Sequence, residues 1–210
     1  MYSLRRRIRT GRGPRVKVEE RARNFQKAFP TYCPLVVHNG RIYGFWLIGQ
    51  YYHSKSSYYG SYPSGYLSRI RSLFPDCTRV LHLFSGSINE VGLGEMTFDI
   101  SDKFAPMVQD DVSNLLKHFG PGDFDLIIAD PPYEAKDFER YGQKPFNKRQ
   151  VIKDCSGIVT PTGFLVWLDV IFPQFSKEHW QLFGCIGLVQ STNHRTRQIT
   201  IFQKLFEEGD

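Results

Sequence analysis

FDLIIADPPYEA, residues 124 to 135, sets the architecture of this chain. Phe124 to Ala129 is an almost unbroken apolar run. A strand with no polar side must be covered on both faces, which is the habit of parallel sheets with helices above and below. The run ends at Asp130, then Pro131, Pro132 and Tyr133. Proline fixes its own φ and restricts the residue before it, so the chain leaves this strand along a stiff path.

Working outward, the same strand-then-helix pattern recurs. Arg79–Phe84 (RVLHLF) reads as a strand that ends in Ser85-Gly86-Ser87, MTFDI (96–100) as a second, and PMVQD (106–110) as a weak third. Val112, Leu115, Leu116 and Phe119 then lie at helical spacing, as do Val151, Ile152, Cys155, Ile158 and Val159. GFLVWLDV (163–170) is another strand, and SKEHWQLF (176–183) reads as a short helix. CIGLVQ (185–190) and TRQITIFQK (196–204) close the chain as an antiparallel hairpin around a turn at STNHR. Alternating strands and helices predict an α/β fold of Rossmann-like type, a mostly parallel sheet with a C-terminal antiparallel hairpin. Upstream, Asn39-Gly40 between two apolar runs predicts a hairpin over 34–46. Residues 51–63, aromatic and rich in Ser and Gly, read as a loop. Pro63 and Ser64 open a helix bearing Tyr66, Leu67, Ile70, Leu73 and Phe74. The expected division is a basic flexible arm (1–30), a hairpin with its aromatic loop (31–63) and one α/β domain (64–210).

Charge is unevenly placed. Of 27 Lys and Arg residues, ten fall within residues 1–29, where Glu19 and Glu20 are the only acids; the net charge of the whole chain is +6. A near-neutral body with a cationic arm, Arg5, Arg6, Arg7 and Arg9 foremost, points to a polyanion, most naturally nucleic acid, as partner. The plainer alternative is a solvated terminus with no partner. No apolar run approaches the ~18 residues of a membrane span. The four cysteines form no CxxC pair, which fits reduced thiols in a cytoplasmic protein without a metal site.

In an open parallel sheet, ligands bind outside the carboxyl ends of the strands. Three features fall there. The turn Ser85-Gly86-Ser87 lets a ligand approach the backbone. Asp99, at a strand end, is either a partner for ribose hydroxyls or a helix N-cap. The third is the proline exit loop. It holds the Asp130 carboxylate at a fixed separation from the Pro131 carbonyl. Two fixed acceptors can grip both hydrogens of an exocyclic amino group and direct its lone pair outward. Tyr133 offers a flat face on which a base stacks, worth ~1–3 kcal/mol in single-strand binders. The competing reading is a stiff loop with a chance aspartate. A specified tetrapeptide arises by chance in a chain this long only about once in a thousand.

DPPY after FDLIIA resembles the catalytic motif of S-adenosylmethionine-dependent amino-methyltransferases, above all the DNA adenine-N6 enzymes. LHLFSGS resembles their cofactor loop through Phe84 and Gly86, with His82 where the family often has an acid and Ile88 in place of a second glycine. YPSGYLSRI, with Pro63, Leu67, Arg69 and Ile70, is similar to the segment that precedes that loop. The resemblance covers roughly residues 59–205. It implies S-adenosyl-L-methionine as cofactor, held by Tyr62, Pro63, Phe84, Ser85, Gly86 and Ser87, with Asp99 on the ribose and Asp110 near the adenine. It implies catalysis by Asp130, Pro131, Pro132 and Tyr133. With few residues after Lys204, target reading is expected from three places. These are the N-terminal region, the polar loop 134–149 and the turn Asn193-His194-Arg195. The loop interleaves Lys136, Arg140, Lys144, Lys148 and Arg149 with aromatics, a pattern suited to a flipped nucleotide and its backbone. DNA is the expected substrate. An RNA base N-methyltransferase of the rRNA guanine-N2 type, and a non-catalytic nucleic-acid-binding protein on the same fold, are the alternatives.

Overall fold

The structure, a computed structural model, describes residues 16–31, 34–49, 61–88, 91–140, 144–191 and 196–205. Nine strands form one sheet: β1 (Val36–His38), β2 (Arg41–Ile48), β3 (Val80–Leu83), β4 (Glu95–Asp99), β5 (Val108–Gln109), β6 (Phe124–Ala129), β7 (Val159–Asp169), β8 (Trp180–Gln190) and β9 (Thr196–Lys204). Their spatial order is β1-β2-β8-β9-β7-β6-β3-β4-β5. Strands β2 to β8 all run the same way; β1 and β9 run against them. The helices are α1 (Val18–Ala28), α2 (Tyr66–Leu73), α3 (Leu115–His118), α4 (Ala135–Arg140) and α5 (Lys148–Ile158). Among the described residues, no helix is long and apolar enough to cross a membrane.

The apolar run of β6 is explained by its two faces. Leu126 and Ile128 join the core under α1 and α2, while Ile127 and Ala129 join the core under α3 and α5. A strand packed on both sides has no position to spend on a polar residue. The chain runs out from β3 through β4 to β5, then returns to β6 on the other side of β3. The β3–β6 boundary is therefore the switch point, where an α/β sheet opens a crevice.

Three expectations are corrected. The arm expected to be flexible through residue 30 contains α1. Its buried face carries Arg21, Ala22 and Phe25, and Phe25 stacks on Trp46 with ring centres 5.3 Å apart. Val18, Ala22 and Phe25 lie at helical spacing, but the surrounding charge masks the pattern. Second, the hairpin of 36–48 is not a separate unit, because β2 pairs in parallel with β8 and extends the main sheet. Third, the helix expected over 176–183 is a turn followed by the start of β8. The register of β8 against β9 shifts between Leu182 and Gly184. That bulge turns Trp180 and Leu182 to one core and Phe183, Ile186 and Leu188 to the other. The three-residue spacing that mimics a helix is the signature of the bulge. A smaller difference concerns the helix at Val112–Phe119. It is a 3-10 turn running into the four-residue α3, and Leu116 is 53% exposed.

Candidate active site

The carboxyl ends of β3 and β6 are stitched to each other and to β4. The Asp130 amide donates to the Leu83 carbonyl at 3.4 Å, and the Ser85 amide to the Phe98 carbonyl at 3.2 Å. Phe84 takes a left-handed φ of 58°, uncommon for a large side chain, and Gly86 a φ of 50°. This tight turn lays the Phe84 ring parallel to Phe146, with centres 5.2 Å apart, and edge-on to Trp167. Asp99 closes the turn from β4. Its Oδ2 accepts from the Gly86 amide at 2.8 Å and its Oδ1 from the Ser101 amide at 2.9 Å. The capping role left open for Asp99 belongs to Ser101, whose hydroxyl accepts from the Lys103 amide.

The residues expected to hold the cofactor line this edge. Tyr62 donates its hydroxyl to the Ile128 carbonyl at 3.1 Å and stacks on Tyr66. Pro63 is buried and Ser87 half-buried. Asp110 follows β5, and its carboxylate takes Asn114 at 2.8 Å and His118 at 2.6 Å. Those bonds, with His118 the leading cause, hold its pKa at about 2. His82, at the position of the family's acid, is fully buried and points its Nε2 at Glu95 Oε2, 3.2 Å away. Arg71 grips the same Glu95 through two nitrogens at 3.0 and 2.6 Å. Burial lowers the His82 pKa against the pull of Glu95, which favours a neutral ring.

Asp130 occupies the centre. Burial pushes its pKa up to about 6, while the Tyr133 hydroxyl and the charge of Arg197 pull the other way. The Tyr133 hydroxyl donates to Asp130 Oδ1. Asp130 Oδ2 makes no hydrogen bond to a described residue. The exit loop is further fixed by Asp137, whose Oδ2 accepts from the amides of Tyr133 and Glu134 at 3.3 and 3.1 Å. Pro131 and Pro132 are buried beneath it. Tyr133 is not a free stacking platform: the guanidinium carbon of Arg197 sits 5.4 Å from its ring centre, covering one face. Two more buried hydroxyls on this edge, those of Ser85 and Tyr66, have no hydrogen-bond partner.

The expected nucleic-acid ligands divide. Within 134–149, Ala135–Arg140 forms α4 and Lys148 begins α5, while residues 141–143 lie outside the described residues. Lys136 is exposed and 3.0 Å from Glu134; Lys144 and Arg149 are exposed. Of Arg140 only its place at the end of α4 is described. Lys148 does not face solvent as a phosphate ligand would. It bonds Asp169 Oδ2 at 2.7 Å, and Asp169 is fully buried at the end of β7, where it also takes the Trp167 indole. An unpaired carboxylate at that depth is costly, so its partner is committed. Arg5, Arg6, Arg7, Arg9, Asn193, His194 and Arg195 lie outside the described residues. Sequence reasoning missed Tyr66, Asp169 and Arg197. The first stands in the quoted YPSGY stretch. The other two become visible only when the strand order is known.

No protein-family model matches the chain, and no curated protein does. Among solved structures, a candidate methylase from Haemophilus influenzae is similar, with a TM-score of 0.39 and 11% identity, over 67% of this chain and 88% of that one.

Proposed function

We propose that this chain is an S-adenosylmethionine-dependent methyltransferase acting on the N6 amino group of adenine in DNA. The observation that carries the reading is Asp130: an enclosed carboxylate at the switch point, with Oδ1 held by Tyr133 and Oδ2 without a partner. An acceptor fixed on one side and open on the other is what a substrate N–H requires.

The residues on the other side of the crevice fit the cofactor. The turn at Gly86 brings backbone to the surface, Asp99 is anchored at the adjacent strand end, and the Ser85 hydroxyl is buried and unpaired. Ser85, Gly86, Ser87, Asp99 and Tyr62 would hold S-adenosylmethionine. When bound, it supplies an electrophilic methyl group on a sulfonium. The base leaves its stack to reach such a pocket, at a cost of a few kcal/mol. Asp130 Oδ2 and the Pro131 carbonyl accept the two N6 hydrogens, and the base packs beside the Tyr133 ring. Charge-assisted hydrogen bonding enriches the nitrogen lone pair and aims it at the crevice. As the nitrogen takes the methyl it must shed one proton, and a carboxylate with pKa about 6 can hold that proton at Oδ2. Positioning supplies most of the acceleration.

The test is nucleoside mass spectrometry on DNA and RNA of matched sequence, incubated with protein and S-adenosylmethionine. N6-methyladenine from DNA supports the reading. Methylguanine from RNA alone favours the RNA enzyme. Retained nucleic-acid binding with no saturable cofactor binding favours the non-catalytic protein.

A further inference from the structure

Arg197 is the second residue of β9, next to Gln198, which pairs with Asp169 at the end of β7. It thus stands at the carboxyl edge of the sheet, over the Tyr133 ring. Its Nε is buried without a partner, and its side chain makes no hydrogen bond or ion pair to any described residue. Lys148, the other cation close to Asp130, is committed to Asp169. Buried donors in folded proteins are nearly always paired. A buried, unpaired guanidinium nitrogen beside Asp130 and the Tyr133 ring is therefore a place where a ligand atom belongs.

Strand order identifies the ligand. In the sequence β9-β7-β6-β3, Arg197 is three strand spacings from the turn at Phe84–Gly86, roughly 14 Å. By strand order it lies on the far side of Asp130 from the turn at Phe84–Gly86, and beside the Tyr133 ring. What a nucleotide brings to that side besides its base is a phosphate, whose oxygens match the planar fork of arginine. We propose that Arg197 is the phosphate ligand of the acceptor subsite, binding a phosphodiester adjacent to the nucleotide whose base enters over Tyr133. This rests on the nucleic-acid reading of the site given above.

Full-length wild type, Arg197→Gln and Arg197→Lys are titrated with a single-stranded oligodeoxynucleotide across a series of NaCl concentrations, and separately with S-adenosylmethionine. Loss of one phosphate contact lowers the magnitude of the log–log salt slope by about 0.7 on a single strand. Affinity of the Gln variant falls roughly tenfold, the Lys variant keeps the slope and part of the affinity, and cofactor binding is unchanged in both. An unaltered slope in the Gln variant overturns the assignment. Weakened cofactor binding with oligonucleotide binding intact also overturns it, moving Arg197 to the cofactor. So does a wild-type chain with no affinity for the oligonucleotide. Binding through Arg197 without any methylation leaves the assignment standing and removes the methyltransferase reading instead.

Discussion

Arg21 and Arg197 each lay a guanidinium over aromatic rings, the first at the amino edge of the sheet and the second at the carboxyl edge. Arg21 is 2% exposed and fully engaged through its terminal nitrogens. It forks onto Asp76 at 2.6 and 2.8 Å, donates to the Leu73 carbonyl at 2.9 Å, and sits 4.8 and 4.7 Å from the rings of Phe74 and Phe164. Arg79 does likewise nearby, with Asp125 at 2.8 Å and the Gly122 carbonyl at 2.7 Å. Arg197 has the Tyr133 ring and the nearby charge of Asp130, and its side chain makes no hydrogen bond to a described residue. Asp130 Oδ2, the Ser85 hydroxyl and the Tyr66 hydroxyl share its edge and its lack of partners. At the amino edge the chain itself meets the terminal nitrogens of Arg21, although its Nε is buried without a partner. Unpaired polar groups weaken a folded protein, and at the carboxyl edge an acceptor, two hydroxyls and a guanidinium nitrogen without partners lie around one loop.

The contrast is broken most sharply at Asp130. Asp130→Ala should lower turnover by roughly 10²–10³, the loss that follows removal of one preorganised electrostatic group. Single-turnover methylation of an adenine-containing duplex measures it, and full activity in the variant would dismiss the role given to this carboxylate. At the other edge, Arg21→Ala should leave turnover per folded molecule unchanged and lower stability by about 3 kcal/mol. It abandons Asp76 and strips a cation from two rings. The urea midpoint reads the second effect; a midpoint unmoved would mean that Arg21 is a surface ornament of α1.

Much of this was written locally and some was not. The apolar run of β6, the stiff exit at Asp130 and the small turn after β3 are each contiguous, so the α/β class and the place of these segments at the carboxyl edge of the sheet were legible. The position of Asp99 at a strand end was legible, but its bonds to the Gly86 and Ser101 amides were not. Helix α1 carried a readable period, Val18, Ala22 and Phe25, but ten cations in the first 29 residues drew attention to charge instead. The bulge at Phe183 converted a strand into a false helix spacing. The pairing of β2 with β8 joins residues some 140 positions apart in the chain, and nothing local encodes it. The same non-locality hid Arg197 over Tyr133 and turned Lys148 from a surface cation into the partner of Asp169. Residue types were visible; which of them meet across the sheet was not.

A gentler change at Asp130 tests whether the active edge weakens the fold. Burial raises its folded-state pKa from 3.8 to about 6. The folded protein therefore binds the proton more tightly than the unfolded chain does. Below the unfolded value both states are protonated and nothing is lost. As pH rises from about 4 to 6, the unfolded chain ionises first and stability falls. Above 6 the loss is complete, on the order of 2–3 kcal/mol. Asp130→Asn keeps the shape and removes the charge. It should be more stable than wild type by about 2 kcal/mol at pH 7.5, with the advantage fading to zero near pH 4. Urea midpoints at pH 7.5, 6 and 4 give the comparison. A variant less stable at every pH would mean that the bonds to the carboxylate outweigh its burial.

The smallest effect concerns the hydroxyl of Tyr133, which bonds Asp130 Oδ1 and so favours the ionised form against burial. Tyr133→Phe removes that bond and keeps the ring with the Arg197 cation over it. Asp130 should then protonate more readily. Wild-type kcat/KM should lose activity as pH falls through about 6, because a protonated Asp130 cannot accept the amino hydrogen at the same oxygen. In the Phe variant this acid limb should move to higher pH by roughly one unit, the equivalent of one hydrogen bond to a charged group. Activity above pH 8 should be nearly that of wild type. The shift separates two roles for the residue that a truncation to alanine would merge. If the limb stays where it is while activity falls at all pH values, Tyr133 acts by orienting the base and not by setting the charge of Asp130. A limb that moves down would mean that the hydroxyl opposes ionisation, the reverse of the bond seen here.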